Sequence, residues 1–292
     1  MGKKKIIIAV YILGILLLRL FTPYLGKPFL IYCDGGLGNS FHLSSRVKRI
    51  YNLDVNDPCV EFVKYCTKVE KVTVNDNSGK FDIKNIANPN LNTIEFSGEG
   101  VNWSSLNKCT NLKNLIITDS NFSTYEDICE LKKLETLSIY EKETDISFNK
   151  LNELTNLKEL TVVCTNDIEC EDISSLENLE VLILSSKGKI STRLNDMKNL
   201  KELSINCQND IDCEDFSQLE NLETLYLKSD GKVTGIDKLD NVTSLTISHS
   251  SQPIGTEICE LDSLKEVSIG EVRLIDGALV KLVDKGVTVN FK

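Results

Sequence analysis

The sequence predicts a repeat solenoid of the α/β class, with a parallel β-sheet on its concave side and short helical or 3-10 segments on its convex side. Three observations predict this fold. One apolar pattern recurs along most of the chain, its spacing is nearly constant, and each copy changes from a period of two residues to a period of three. Of the 292 residues, 41% are hydrophobic, which is enough for a sizeable core.

The recurring pattern is L-x-x-L-x-L, and its first apolar residue returns every 20 to 23 residues. The ten starting positions are Val69, Leu91, Leu112, Leu134, Leu157, Leu179, Leu200, Leu222, Val242 and Leu264. The L-x-L part is typical of a strand whose alternate residues enter the core. Upstream residues such as Ile173, Leu176 and Leu179 step by three, which favours a short helix or a 3-10 turn. Stacked copies would share one continuous core.

This pattern resembles the leucine-rich repeat family, in its shorter class of roughly 22 residues. The resemblance covers about Val69 to Ile269. The Asn that the family places three residues after the last strand leucine is absent, and Thr165, Lys187, Gln208 and Asp230 stand there instead. An apolar residue also falls one place later than in the family pattern, at Ile168, Ile190, Ile211 and Val233. The sequence therefore predicts the repeat itself but leaves the turn geometry open.

Both ends of the predicted solenoid carry candidate caps. Asp57-Pro58 is a good helix start, so we expect a cap helix over 59–68 after an irregular strand over 47–53. At the far end we expect a helix over 276–285, ended by Gly286, and a closing strand at Val287 and Val289. The predicted organisation is a targeting segment (1–27), a linker (28–46), an N-terminal cap (47–68), about ten repeats (69–270) and a C-terminal cap (271–292).

The first 27 residues have the composition of a targeting segment. A lysine cluster precedes an apolar run over 6–18, and a second short run over 20–25 follows Arg19. Small residues for cleavage are lacking, so we expect an uncleaved, single-pass membrane helix with its lysines inside and the repeat domain outside the cytoplasm. The alternatives are a cleaved signal, which would give a secreted protein, and a buried helix of a cytosolic protein.

The charge distribution argues against nucleic acid as a partner. The formal net charge is −10, and all 43 acidic residues lie from Asp34 onward, whereas five of the 33 basic residues precede it. The repeat region is therefore more acidic than the chain as a whole. Such a body repels phosphate backbones, and no basic stripe offsets the repulsion.

The ten cysteines are even in number, as an oxidising compartment favours. Cys164 and Cys170 belong to a segment that returns 43 residues later with Cys207 and Cys213. Cysteines two rungs apart would lie ~9.6 Å apart, too far for a disulfide, so we expect the bonds Cys164–Cys170 and Cys207–Cys213. Neighbouring acids suggest a calcium or zinc loop as the alternative. Neither ligand set is complete, so we expect no metal and no cofactor.

A charged column follows the first strand leucine and alternates in sign from repeat to repeat. It consists of Lys113, Glu135, Lys158, Glu180, Lys201 and Glu223. One interpretation is a charged ligand groove, and the other is a ladder whose charges neutralise one another across adjacent strands. The regular alternation favours the ladder.

Residues for catalysis are scarce. The two histidines, His42 and His249, belong to different regions, and no motif pairs either with a nucleophile. The glycine-rich segment 34–39 lacks the third glycine of a dinucleotide-binding loop, and we interpret it as part of the linker. We therefore expect a binding protein rather than an enzyme.

The residues between the last two core positions of each repeat should point away from the core. That column is Glu95, Ile116, Ser138, Thr161, Ile183, Ser204, Tyr226, Thr246 and Ser268, and the next outward position adds Tyr140 and Val163. The candidate partner-binding residues on this concave face are Ile116, Tyr140, Val163, Ile183 and Tyr226, which stand out among small hydroxyl residues. Strand propensity alone is the alternative explanation.

These features predict a membrane-anchored, surface-displayed recognition or adhesion module that binds a protein or another extended macromolecule. An intracellular, membrane-tethered scaffold is the alternative, and an enzyme is a weaker one. The fold by itself does not choose among them.

Overall fold

The computed structural model describes residues 48–55, 60–64, 66, 68–76, 78–79, 81–119, 126–141, 151–169, 173–174, 176–191 and 194–291. The predicted targeting segment and linker lie outside these residues. Within this part of the chain, no helix is both long and apolar enough to cross a membrane.

The described residues form one parallel sheet of twelve strands, which follow one another in sequence order. Its strands are β1 (Arg49–Asp54), β2 (Lys71–Asp76), β3 (Thr93–Gly98), β4 (Asn114–Thr118), β5 (Thr136–Tyr140), β6 (Glu159–Cys164), β7 (Val181–Ser186), β8 (Glu202–Cys207), β10 (Thr224–Ser229), β12 (Ser244–His249), β13 (Glu266–Glu271) and β14 (Thr288–Phe291). Two short strands, β9 (Ile211–Asp212) and β11 (Val233–Thr234), pair separately. The ten repeats supply ten strands of the large sheet, and the two caps supply β1 and β14.

The alternation of the repeat pattern places the strand leucines in the core. In β7, Leu182 and Leu184 are fully buried, whereas Val181 and Ile183 on the other face are partly exposed. The buried residues of all repeats join in one hydrophobic cluster from Ile50 to Val287. One unit has too little apolar surface to fold alone, so each rung stabilises its neighbours. The predicted leucine-rich-repeat solenoid is confirmed.

The convex side consists of short helical segments. The α-helices are α1 (Val60–Val63), α2 (Glu126–Cys129) and α3 (Ala278–Asp284), and the 3-10 helices are Ile83–Asn85, Leu106–Lys108, Leu151–Glu153, Cys213–Phe216, Ile236–Lys238 and Thr256–Glu260. The three-residue spacing of Ile173, Leu176 and Leu179 follows from the hydrogen bonds of this segment. The backbone N–H of Leu176 donates to Ile173 O, and the backbone N–H of Leu179 donates to Leu176 O. These are the bonds of successive 3-10-type turns.

The caps differ from their prediction in extent. Within the range 59–68 that we predicted as helix, the structure describes a helix only at Val60–Val63. The described residues from Lys64 onward turn instead and bring Val69 into the core, where it begins the first repeat. At the far end, α3 lies between Gly277 and Gly286, both with positive φ. That left-handed conformation suits glycine and ends the helix where the sequence predicted.

A ladder of asparagines joins the repeats on the convex side. Each member directly precedes the first leucine of its repeat and donates its side-chain amide to a backbone carbonyl of the preceding repeat. The donors and acceptors are Asn111 to Pro89 O, Asn156 to Lys132 O, Asn178 to Thr155 O, Asn199 to Glu177 O, and Asn221 to Lys198 O, at 2.6–2.7 Å. These bonds satisfy carbonyls that short turns leave without partners.

Candidate recognition surface

The outward side chains of the sheet lie in straight columns because the strands pair without a register shift from β2 to β8. Glu95, Ile116, Ser138, Thr161, Ile183, Ser204, Tyr226, Thr246, Ser268 and Asn290 are direct neighbours in that order. The column inferred from the sequence is therefore present, and it continues into the C-terminal cap at Asn290.

Three aliphatic residues form a contiguous patch near the middle of the sheet. Val163 on β6 is in register with Ser185 on β7, so it is the diagonal neighbour of Ile183. Ile183 follows Val181 by two residues on β7, so both side chains lie on the same face. We call Val163, Val181 and Ile183 the aliphatic patch. Directly opposed positions lie ~4.8 Å apart across strands, and diagonal ones are within reach of a side chain.

The other sequence-predicted residues lie around this patch. Tyr140 on β5 is the direct neighbour of Val163, and the residue is 39% exposed. Tyr226 lies two strands from Ile183, or ~10 Å, and Ile116 lies three strands away, or ~14 Å. The structure therefore brings Tyr140, Val163 and Ile183 together and leaves Ile116 and Tyr226 separate.

Val181 is a residue that our sequence reasoning missed. It occupies the first outward position of its strand, where the other repeats carry polar residues such as Glu159 and Glu202. The signal was visible in the sequence, since Val181 replaces a charged or hydroxyl residue in that column. Counting all three outward positions, rather than the central one alone, would have found it.

The charged column at the strand entrances is a ladder of ion pairs. Lys113 Nζ lies 2.6 Å from Glu135 Oε1, and Lys201 Nζ lies 2.6 Å from Glu180 Oε2. The hydrogen bond from Lys113 holds the pKa of Glu135 below its ordinary value, and the bond to Glu180 raises the pKa of Lys201. The ladder interpretation is thus supported at these two pairs, whereas Lys158 and Glu223 form no ion pair within the described residues. Both pairs are exposed, so their main effect is on strand order and salt dependence rather than on stability.

Two glutamates beside the aliphatic patch differ from that ladder. Glu159 on β6 and Glu202 on β8 are the in-register neighbours of Val181 on either side. Both are exposed, and neither makes an ion pair within the described part of the chain. Glu159 accepts one long hydrogen bond, 3.5 Å, from Thr136 Oγ1. The patch is therefore bordered by two carboxylates whose charges no neighbouring cation neutralises at close range.

The predicted Cys207–Cys213 disulfide is not supported, because both thiols are free and buried. Cys207 Sγ donates to the carbonyl of Asn209 in its own turn, whereas Cys213 begins a 3-10 helix with its side chain in the core. Burial raises the pKa of both thiols. Cys164 is also free and buried, so the predicted bond Cys164–Cys170 is not supported either; Cys170 itself lies outside the described residues.

The duplicated turns use their polar side chains to bind backbone. Asp167 Oδ1 accepts the N–H of Lys189 at 2.7 Å, and 43 residues later Asp210 Oδ1 accepts the N–H of Lys232 at 2.8 Å. Ser229 Oγ donates to Asn209 O and accepts the N–H of Gly231. Asp167, one of the acids that suggested a metal loop, therefore binds the backbone of the next repeat. In the described residues no cluster of His, Cys, Asp and Glu is placed to hold a metal ion.

His249 lies on β12, on the sheet face. Its Nδ1 is 3.9 Å from Glu271 Oε2 on the next strand. This is a loose surface pair rather than a nucleophile and base at hydrogen-bond distance. His42 lies outside the described residues.

The parallel sheet, the 22-residue rungs and the 3-10 turns define a leucine-rich-repeat solenoid. No protein-family model matches the chain, and no curated protein sequence matches it. Among solved structures, an internalin (inlF) from Listeria monocytogenes matches with a TM-score of 0.54 at 18% identity, covering 86% of this chain and 90% of that one.

A second similar structure is the LRR ectodomain of the plant membrane receptor kinase GASSHO1/SCHENGEN3 from Arabidopsis thaliana. Its TM-score is 0.56 at 16% identity, with 84% of this chain and 35% of that chain covered. Our chain thus spans about a third of that ectodomain, which was solved in complex with CASPARIAN STRIP INTEGRITY FACTOR 2. At these identities the likeness shows the fold alone.

Proposed function

We propose that this protein is a non-catalytic recognition module that binds a protein partner on the outward face of its sheet. The observation that carries the proposal is the aliphatic patch of Val163, Val181 and Ile183, contiguous with Tyr140, in the middle of a twelve-stranded sheet. A central apolar cluster within a polar surround is the usual arrangement of a protein-binding hot spot.

The polar surround consists mainly of small hydroxyl side chains. Ser138, Thr161, Ser185 and Ser204 border the patch on the neighbouring strands or along β7 itself. Such side chains offer hydrogen bonds at little entropic cost and leave the larger apolar side chains accessible. The surface extends across many strands, which suits an extended partner better than a small molecule.

The plant ectodomain gives a precedent for recognition by this fold, since it was solved in complex with CASPARIAN STRIP INTEGRITY FACTOR 2. The fold alone does not carry a partner from one protein to another. In this chain it is the aliphatic patch that supports a protein partner.

Our proposal includes display of the repeats outside the cytoplasm, held by the N-terminal segment as an uncleaved membrane helix. The support is the lysine cluster before the apolar run and the lack of small residues for cleavage. Protease added to intact cells should remove the repeat domain, and N-terminal sequencing should give a mature chain that begins before residue 26. A start within 26–34 would mean a secreted product, and full protection would favour the intracellular scaffold.

Binding is tested with a photo-crosslinking residue placed at Thr161, compared with one at Gln218 on the convex turns. The partner should crosslink from Thr161 and not from Gln218. The double variant Ile183→Ser, Tyr226→Ala should then weaken binding of that partner by about thirtyfold or more, the loss typical of central anchors. Lys198→Ala on the convex side is the control. Unchanged affinity in a folded double variant would defeat the proposal.

A further inference from the structure

We propose that the aliphatic patch and its two bordering glutamates bind an extended, basic protein segment, in which two Lys or Arg residues flank an apolar one. This inference rests on the proposed function, and it adds the chemical class of the partner. It starts from Glu159 and Glu202, which lie on opposite sides of Val181 in one outward row of the sheet.

These two carboxylates differ from the other charged groups nearby. Glu95 is paired with Lys71, Glu135 with Lys113, and Glu180 with Lys201. Within the described chain, Glu159 and Glu202 have no such cation. Two carboxylates without a paired cation, one on either side of an apolar patch, offer a surface complementary to positive charge.

Tyr226 adds a second element that favours a cation beside Glu202. Glu202 is in register with Thr224, and Tyr226 follows two residues later on the same strand, so Tyr226 is the diagonal neighbour of Glu202. Diagonal neighbours lie ~7–8 Å apart, within the span of an Arg or Lys side chain. A cation placed between them would contact a carboxylate and the face of an aromatic ring, and both attract it.

The spacing of the two glutamates sets the spacing of the basic residues. Glu159 and Glu202 are separated by two strand intervals, ~9.6 Å. In an extended polyproline-II segment, residues three positions apart share a face and lie ~9.3 Å apart. A segment that crosses the strands with basic residues at these positions would therefore place them over the two glutamates, and an apolar residue between them, which projects from an adjacent edge of the three-fold helix, would lie to one side, over Ile183.

The charge of the whole chain agrees with this partner. The net charge is −10, so a basic segment is attracted from a distance and a polyanion is repelled. Binding should consequently weaken as salt rises, because the charges lie on an exposed surface.

The experiment is a selection of phage-displayed random dodecapeptides on the full chain at low salt, followed by fluorescence anisotropy of the enriched peptides. The inference expects enriched peptides with two Lys or Arg residues about three positions apart around an apolar residue. E159Q/E202Q should weaken their binding by about tenfold, the size expected for two exposed ion pairs. The matched control E177Q/E220Q removes two exposed carboxylates from the convex turns and should leave binding unchanged.

The outcomes separate the two proposals. Enriched peptides that are neutral or acidic, or that bind E159Q/E202Q as well as the wild type, overturn the basic-segment inference. If such peptides still lose binding in the Ile183→Ser, Tyr226→Ala variant, the recognition face itself stands. If no peptide is enriched, or if enriched peptides are indifferent to every sheet-face variant, the inference fails together with the proposed binding face.

Discussion

The side-chain amide of Asn199 donates a 2.6 Å hydrogen bond to the backbone carbonyl of Glu177, one repeat earlier on the convex side. The same bond recurs from Asn178 to Thr155 O and from Asn221 to Lys198 O. Each Asn stands directly before a buried leucine, Leu200 in the case of Asn199, so the bond fixes the turn where that leucine enters the core. The ladder couples neighbouring rungs in the turns directly before their strands begin.

Replacing Asn199 with Ala should lower the free energy of unfolding by about 1 kcal/mol, the net value of one hydrogen bond. Asn152→Ala is the matched control, since Asn152 is exposed in a short 3-10 helix and belongs to no ladder. Urea midpoints of the two variants provide the comparison. Equal midpoints would show that the ladder does not stabilise the solenoid.

Gly231→Ala should destabilise the protein by more than 1 kcal/mol, because the added methyl has no space. A Cβ built at Gly231 would lie 2.6 Å from the backbone N of Asp210 and would also meet its Oδ1. Asp210 cannot withdraw without losing its bond to the N–H of Lys232. Overpacking against backbone typically costs 1–3 kcal/mol. Thermal unfolding measures the effect.

The duplicated turn supplies a second measurement. Gly188 meets Asp167 in the same way as Gly231 meets Asp210, so Gly188→Ala should cost about as much. Lys232→Ala keeps the backbone N–H that Asp210 accepts and should cost little. A Gly231→Ala variant as stable as Lys232→Ala would mean that the turn relaxes to admit the methyl group.

The strands were predictable because their alternation is local. The pattern L-x-L indicates which side chains enter the core, so the sequence predicted that Ile183 and Leu184 lie on opposite faces of the strand. The turn geometry could not be predicted, because the hydrogen bonds that fix the turns join residues about 22 positions apart in the chain. The side chain of Asp210 accepts a hydrogen bond from the N–H of Lys232 in the next repeat, and the sequence of a single repeat does not predict that contact. The same holds for Cys213, whose position in the core decides that it is not a disulfide partner of Cys207.

The candidate site was predictable in part. The sequence identified Ile183 and Tyr226 as unusual among hydroxyl residues and aligned the central outward column, but the neighbouring column that contains Val181 was not compared with it. The diagonal position of Val163 beside Ile183, and the position of Val181 between two glutamates, depend on the register of β6, β7 and β8 together. Propensity arguments treat each strand separately and miss such two-dimensional patches.

The thiol of Cys109 should make the protein less stable at high pH. Burial raises the pKa of Cys109 to about 11, against 9.0 for an exposed thiol. Between these two pKa values the folded state keeps a proton that the unfolded chain releases. The titration of this thiol therefore leaves the free energy of unfolding unchanged below pH 9 and lowers it by up to about 1.4 kcal/mol per pH unit between the two pKa values. Between pH 8 and 10.5, the free energy of unfolding of the wild type should fall by about 2 kcal/mol more than that of Cys109→Ala. Urea unfolding at both pH values checks this, and equal losses would contradict it.

Ile183 and Leu184 are consecutive residues on opposite faces of β7, and their substitutions should differ sharply. Leu184 is fully buried, so Leu184→Ala should cost 2–5 kcal/mol through lost contacts and a residual cavity. Ile183 faces solvent and is partly exposed, so Ile183→Ser should cost less than about 1 kcal/mol. Urea unfolding of both variants measures the difference directly. Equal costs would mean that Ile183 is covered in the folded protein, and a patch that is already covered could not serve as the recognition face.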